Sequence, residues 1–276
     1  MSSSVSPAPS PVTVAFAKAN ADNRAALIGY LPAGFPTVGG AIDAAKAMAD
    51  AGADIVEIGL PYSDPLMDGP VIAEAVHRAL TAGTRVADVL RTVQAIASES
   101  IPVLVMTYWN PVERYGVRAF ARDLAQAGGS GLITPDLIPE EAGPWLEASD
   151  SYGLDRVFLV APSSTGERLA RIAGSCRGFV YAASLMGITG TRDAVSADAA
   201  RLVTRVRPHT DLPVAVGLGV SNGAQAAQMA AFADGVIVGS AFVRRLLDAP
   251  DAARGTGAVR DLTAELSAGV RRAVPS

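Results

Sequence analysis

The sequence has a single cysteine, Cys176, in 276 residues. That excludes an internal disulfide framework and a Cys-x-x-Cys redox or zinc motif. There are two histidines, His77 and His209, far apart in the chain, so no His-rich metal site is expected. Lys18 and Lys46 are its only lysines. Both fall on predicted helices, which argues against a Schiff-base lysine at a reacting centre. Charged residues make up 18% against a typical ~25%. The net charge of -4 and pI near 5.2 leave no basic footprint for nucleic acid. Mean hydropathy is high, +0.29, yet the apolar runs at 101–106 and 157–161 fall far short of the ~20 residues of a membrane span. Residues 1–11 are Ser/Pro-rich, with neither a basic start nor an apolar h-region. They read as a disordered leader rather than a signal peptide. Residues 12–276 read as a single domain, and a cytoplasmic location is expected.

What is present is a regular alternation. A helix over 12–23 precedes the first strand, 26–31. Strands are then predicted at 54–60, 101–107, 131–134, 156–161, 179–184, 213–217 and 235–238. Helices are predicted at 38–51, 71–80, 86–98, 112–126, 139–149, 165–173, 197–207, 222–231 and 241–247, with a last one at about 259–274. Eight βα units without a linker predict an α/β fold, a single (β/α)8 TIM barrel with an extra N-terminal helix. The alternative is an open doubly wound sheet. In a barrel the carboxyl ends of the strands carry function.

The second strand end reads Glu57-Ile58-Gly59-Leu60-Pro61-Tyr62-Ser63-Asp64-Pro65-Leu66-Met67-Asp68-Gly69-Pro70. If Val56 and Ile58 face the helices, alternation turns Glu57 into the barrel. Burial there raises its pKa toward that of a neutral-pH acid or base. The competing reading is a Glu paired with a buried Arg or held by backbone amides. Asp68, before Gly-Pro, is a candidate carboxylate or an ordinary helix cap. Gly217-Leu218-Gly219 and Gly239-Ser240, at the seventh and eighth strand ends, suit a phosphate held on helix N-termini. Gly187-Ile188-Thr189-Gly190 could complete that rim. The residues left for chemistry are carboxylates acting on a phosphorylated small molecule.

These motifs together resemble the tryptophan synthase alpha chain family. The 57–70 segment is similar to its fourteen-position signature. Gly29-Tyr30-Leu31-Pro32-Ala33-Gly34-Phe35-Pro36-Thr37 and Met106-Thr107-Tyr108-Trp109-Asn110-Pro111 are similar to its first and third strand ends. The resemblance spans about residues 24–250. It implies a barrel that cleaves indole-3-glycerol phosphate to indole and glyceraldehyde 3-phosphate. It implies Glu57 and Asp68 as the catalytic pair, with Tyr181, Thr189, Gly190, Gly217, Gly219, Gly239 and Ser240 around the substrate. It further implies no metal or cofactor in this chain and a pyridoxal-phosphate beta chain as partner in an αββα heterotetramer. Pro61, Tyr62, Pro65 and Asn110 would then lie at the interface. The sequence departs from the family at Leu185, where many members carry Arg, which puts a regulatory contact of that loop in doubt. A stand-alone lyase and a non-catalytic phosphate-binding activator subunit remain the alternatives.

Overall fold

The eight apolar segments are rich in β-branched residues and bounded by Pro, Gly and Asp, as strands covered on both faces must be. In the computed structural model, which describes residues 9–183, 192–217 and 219–271, they form one closed parallel barrel in chain order. The strands are β1 (Ala26–Pro32), β2 (Ile55–Gly59), β3 (Val103–Met106), β4 (Gly131–Thr134), β5 (Asp155–Val160), β6 (Val180–Ala183), β7 (Val214–Gly217) and β8 (Gly235–Val238). The expected barrel is therefore the observed one, and no open sheet edge remains in it. Around it lie α1 (Pro11–Ala21), α2 (Val38–Asp50), α3 (Pro70–Thr81), α4 (Val86–Ala97), α5 (Trp109–Tyr115) and α6 (Val117–Gln126). The ring continues with α7 (Gly143–Tyr152), α8 (Gly166–Ser175), α9 (Arg192–Val206), α10 (Gly223–Ala230), α11 (Ser240–Asp248) and α12 (Ala252–Gly269). Among the described residues no helix is long and apolar enough to cross a membrane.

Side chains alternate along each strand, and the inward set builds two layers. The lower layer takes Ile28, Ile55, Leu104, Ile133, Val157, Phe179, Ala215 and Ile237. It is sealed from below by α1, which buries Val12, Phe16 and Ala19 against it. The Phe16 and Phe179 ring centroids are 5.4 Å apart. A Cβ at Gly235 would stand 2.9 Å from the Phe16 ring, so glycine there makes room for the plug. The upper layer contains Tyr30, Glu57, Leu159, Tyr181, Gly217 and Gly239, and it lines a cavity. With the amino-terminal end of the barrel plugged, access runs through the carboxyl end.

Several boundaries differ from expectation. Helix α1 starts at Pro11, and the Ser10 side chain caps it by accepting from the Thr13 amide. Ser10 and Pro11 thus belong to the fold rather than to a leader. The single helix expected over 112–126 is two, α5 and α6, because Gly116 between them sits at φ 95°, where glycine pays no steric penalty. The helix expected at 139–149 starts at Gly143, with Pro144, not Pro139, in its first turn. The last helix begins at Ala252 behind an Asp251 cap and tolerates Gly255 and Gly257. Burial of Val259, Leu262 and Leu266 outweighs their propensity cost of ~1 kcal/mol each.

The plug generates a prediction. Phe16→Ala removes a buried ring from a packed layer and should destabilise the folded chain by about 3 kcal/mol, read as a lower urea midpoint. An unchanged midpoint would mean that α1 does not close the barrel floor.

Candidate active site

Glu57 is fully buried, inside the barrel, with Val56 and Ile58 turned outward into the helix-side core. Neither of its carboxylate oxygens has a hydrogen-bond partner among the described residues. The competing reading, a Glu paired with Arg or held by amides, finds no such partner among the described residues. Burial alone raises its pKa from 4.5 to about 8, because no cation or amide compensates the lost hydration. At neutral pH the group carries its proton.

Asp68 lines the same cavity, of about 650 Å³, from the loop between β2 and α3. It does not cap α3, whose N-cap is Gly69. Its environment is more polar than that of Glu57. Burial raises its pKa, and a hydrogen bond donated by the Tyr108 hydroxyl to Oδ1, at 3.1 Å, opposes the rise. The same phenol oxygen accepts the backbone amides of Leu66 and Met67 at 3.1 and 2.9 Å. One side chain beyond β3 therefore fixes both the loop that brings Asp68 and the carboxylate itself. Tyr108 is only 7% exposed, and burial pushes its hydroxyl to about 12, so it stays a donor. Asp136, from the loop after β4, accepts from the Trp109 amide at 2.9 Å and so anchors the β3 loop in turn.

Two tyrosines complete the walls. Tyr181 on β6 leans over Gly217 on β7, where a Cβ would stand 2.3 Å from its hydroxyl. Tyr30 on β1 leans over Gly59 on β2 in the same way, at 2.2 Å. Gly217 is thus first a seat for Tyr181, although it also lines the cavity. Burial raises both phenol pKa values, and carboxylates add to the rise at high pH, Asp68 ahead of Glu57 at Tyr30 and Glu57 at Tyr181. Gly219, at φ 54°, Gly239 and Ser240 line the cavity too. Ser240 is the first residue of α11, so its amide and that of Ala241 have no acceptor within the helix. Thr189, Gly190 and Leu185 fall outside the described residues.

A family model described as tryptophan synthase alpha chain matches residues 16–270. The tryptophan synthase alpha chain of Thermobifida fusca is 63% identical over 260 residues, covering 93% of this chain and 96% of the relative. That of Streptomyces coelicolor is 61% identical over 256 residues, covering 92% and 94%. The chain belongs to the tryptophan synthase alpha chain family. Among solved structures, tryptophan synthase from Mycobacterium tuberculosis aligns with a TM-score of 0.89 at 56% identity, covering 96% of this chain and 100% of that one. The alpha subunit from Legionella pneumophila aligns at 0.86 with 31% identity, covering 95% and 99%.

The residues that the family resemblance places at a partner interface do not all sit alike. Pro61 is buried, Tyr62 and Pro65 half-buried and Asn110 exposed. Asn110 Nδ2 donates to the Tyr62 hydroxyl at 3.1 Å. Pro61, Tyr62 and Asn110 line a second hollow beside the cavity, with Leu60 common to both, and Pro65 lies outside it. The roles of Tyr30, Tyr108 and Asp136 escaped the sequence reading. Inward alternation from Ile28 could have flagged Tyr30, but nothing in the spacing announces that Tyr108 meets a loop forty residues earlier.

Removing the Tyr108 hydroxyl tests its place in the site. Tyr108→Phe should lower kcat by roughly tenfold, the size of a lost charge-assisted hydrogen bond. Losing a bond that holds the Asp68 pKa down should also move the acid limb of the pH profile to higher pH. An unaltered kcat and limb would contradict the arrangement.

Proposed function

We propose that the chain carries out the alpha reaction of its family, cleavage of indole-3-glycerol phosphate to indole and glyceraldehyde 3-phosphate, with Glu57 and Asp68 as the catalytic pair. The observation that carries this reading is the Glu57 carboxyl. It is buried, unpartnered, shifted to about 8, and in the wall of the cavity that Asp68 also lines.

The bond to be broken joins indole C3 to a hydroxyl-bearing carbon of the glycerol chain. Indole leaves poorly until C3 is protonated. Glu57, protonated at neutral pH, delivers its proton to C3, and the ring nitrogen takes up the positive charge. The Asp68 carboxylate accepts a hydrogen bond from that N–H and stabilises the charge where it develops. As the carbon–carbon bond breaks, its electron pair returns to the ring and restores the indole. The Glu57 carboxylate takes the proton of the glycerol hydroxyl, whose carbon becomes the aldehyde. Glu57 ends protonated, as it began. Tyr181 packs along the substrate. The phosphate lies against Gly219, Gly239 and Ser240, with Thr189, Gly190 and Gly217 assigned to the same pocket, and its binding positions the reacting carbon.

The chain needs no cofactor for this step, and pyridoxal phosphate belongs to a beta chain. That partner docks on the rim at Pro61, Tyr62, Pro65 and Asn110, in an αββα assembly in the cytoplasm. The exposed Leu66 (78%) and Met67 (43%) follow Pro65 directly in the same loop, and a partner on this rim would cover them.

Indole release from indole-3-glycerol phosphate, by the purified chain alone and with a beta chain of the same source, tests this. Weak activity alone and strong activation by the partner are expected. Full activity alone would overturn the coupling, and no indole from folded protein would overturn the chemistry. Glu57→Gln and Asp68→Asn should each cost at least ~100-fold in kcat. Glu57→Gln should also stabilise the fold. Between pH 4.5 and 8 the unfolded chain binds fewer protons at this position than the folded one, so Glu57 lowers stability as pH rises through that window. The variant's melting temperature should exceed the wild type's at pH 7.5, and the gap should close near pH 4.5. A variant less stable at pH 7.5 would mean that Glu57 has a partner after all.

A further inference from the structure

Among the described residues that line the catalytic cavity, three are of acidic or basic type: Glu57, Asp68 and Arg244. Two are carboxyl groups beside the proposed chemistry. The third is a guanidinium, on the helix whose first residue, Ser240, also lines the cavity. Arg244 lies four residues into α11 after Ser240, on the same side of the helix. Helical side chains lean back toward the helix N-terminus, which directs a long one there toward the opening that Gly239 and Ser240 border. Phe242, Val243 and Leu246 of the same helix are buried, so packing fixes the face that α11 presents.

Arg244 is also unpaired. Arg24, Arg78, Arg156, Arg168, Arg177 and Arg207 each meet a carboxylate. Among the described residues Arg244 makes neither an ion pair nor a hydrogen bond, and it stands exposed. The substrate end opposite the indole is a phosphate monoester with a charge near -2 at neutral pH. A protein of net charge -4 opposes the entry of such an anion. The partial positive charge of a helix N-terminus, about half a unit, is small against that field.

We propose that Arg244 is a substrate-binding, charge-selecting residue. Its guanidinium draws the phosphate dianion to the cavity and holds it over the N-terminus of α11. This rests on the proposed function and adds to it a residue that acts on the phosphate rather than on the reacting bond. Because the group is exposed, its effect is screened by salt and belongs to binding rather than turnover.

The test uses Arg244→Gln and Arg244→Lys, each assembled with the beta chain. For Arg244→Gln the KM for indole-3-glycerol phosphate should rise roughly three- to tenfold at low salt, the scale of one exposed cation against a dianion. Its kcat should stay within about twofold, a binding-only signature. The KM gap should close at high salt, and Arg244→Lys should recover most of the loss. Unchanged KM and salt dependence would overturn the proposal, and so would a fall in kcat at constant KM. Calorimetric binding of glyceraldehyde 3-phosphate to wild type and Arg244→Gln gives a reading without turnover. If wild type releases no indole, the proposed function fails, and this titration still judges Arg244: equal affinity in both proteins rejects its role, and weaker, less salt-sensitive binding in the variant supports it.

Discussion

The structure depends on one costly burial. A carboxyl group sits inside a closed barrel with no hydrogen bond, ion pair or backbone amide among the described residues to compensate its lost hydration. Such a group is tolerated because it can keep its proton, and its pKa near 8 is the form that tolerance takes. The surrounding features maintain that condition. Helix α1 plugs the floor, the lower apolar layer separates the plug from the cavity, and Tyr30 and Tyr181 lean over glycines on either side. Moving a cation into hydrogen-bond range of Glu57 would lower its pKa and leave it ionised.

The two carboxyl groups differ because their surroundings differ. Asp68 sits in a loop tied to Tyr108, which donates to it, so an ionised form is favoured more there than at Glu57. Burial raises both pKa values, and only Asp68 has a hydrogen bond that opposes the rise, a difference of the kind that separates acid and base roles. The same cavity lining also includes the Arg244 guanidinium.

Much of this was legible in the sequence. The strand alternation predicted the barrel, and the position of Glu57 between Val56 and Ile58 predicted its inward direction, because period-two alternation is local and strict. The glycines after β7 and at the start of α11 were legible for the same reason. What escaped was set by contacts between distant segments. The Tyr108 bond to Asp68 joins two loops that only barrel closure brings together. That Gly217 also seats Tyr181 from the neighbouring strand depends on register. The break at Gly116 was decided by a positive φ and the early start of α12 by the Asp251 cap, neither of which a periodic apolar pattern reveals.

The central claim is that Glu57 is protonated at neutral pH in the folded protein. It is tested most directly by following that carboxyl carbon with 13C NMR in protein labelled at glutamate, using Glu57→Gln to assign the resonance. The account predicts one glutamate that titrates near pH 8, well apart from the others. A Glu57 resonance that is already ionised at pH 6 would contradict it.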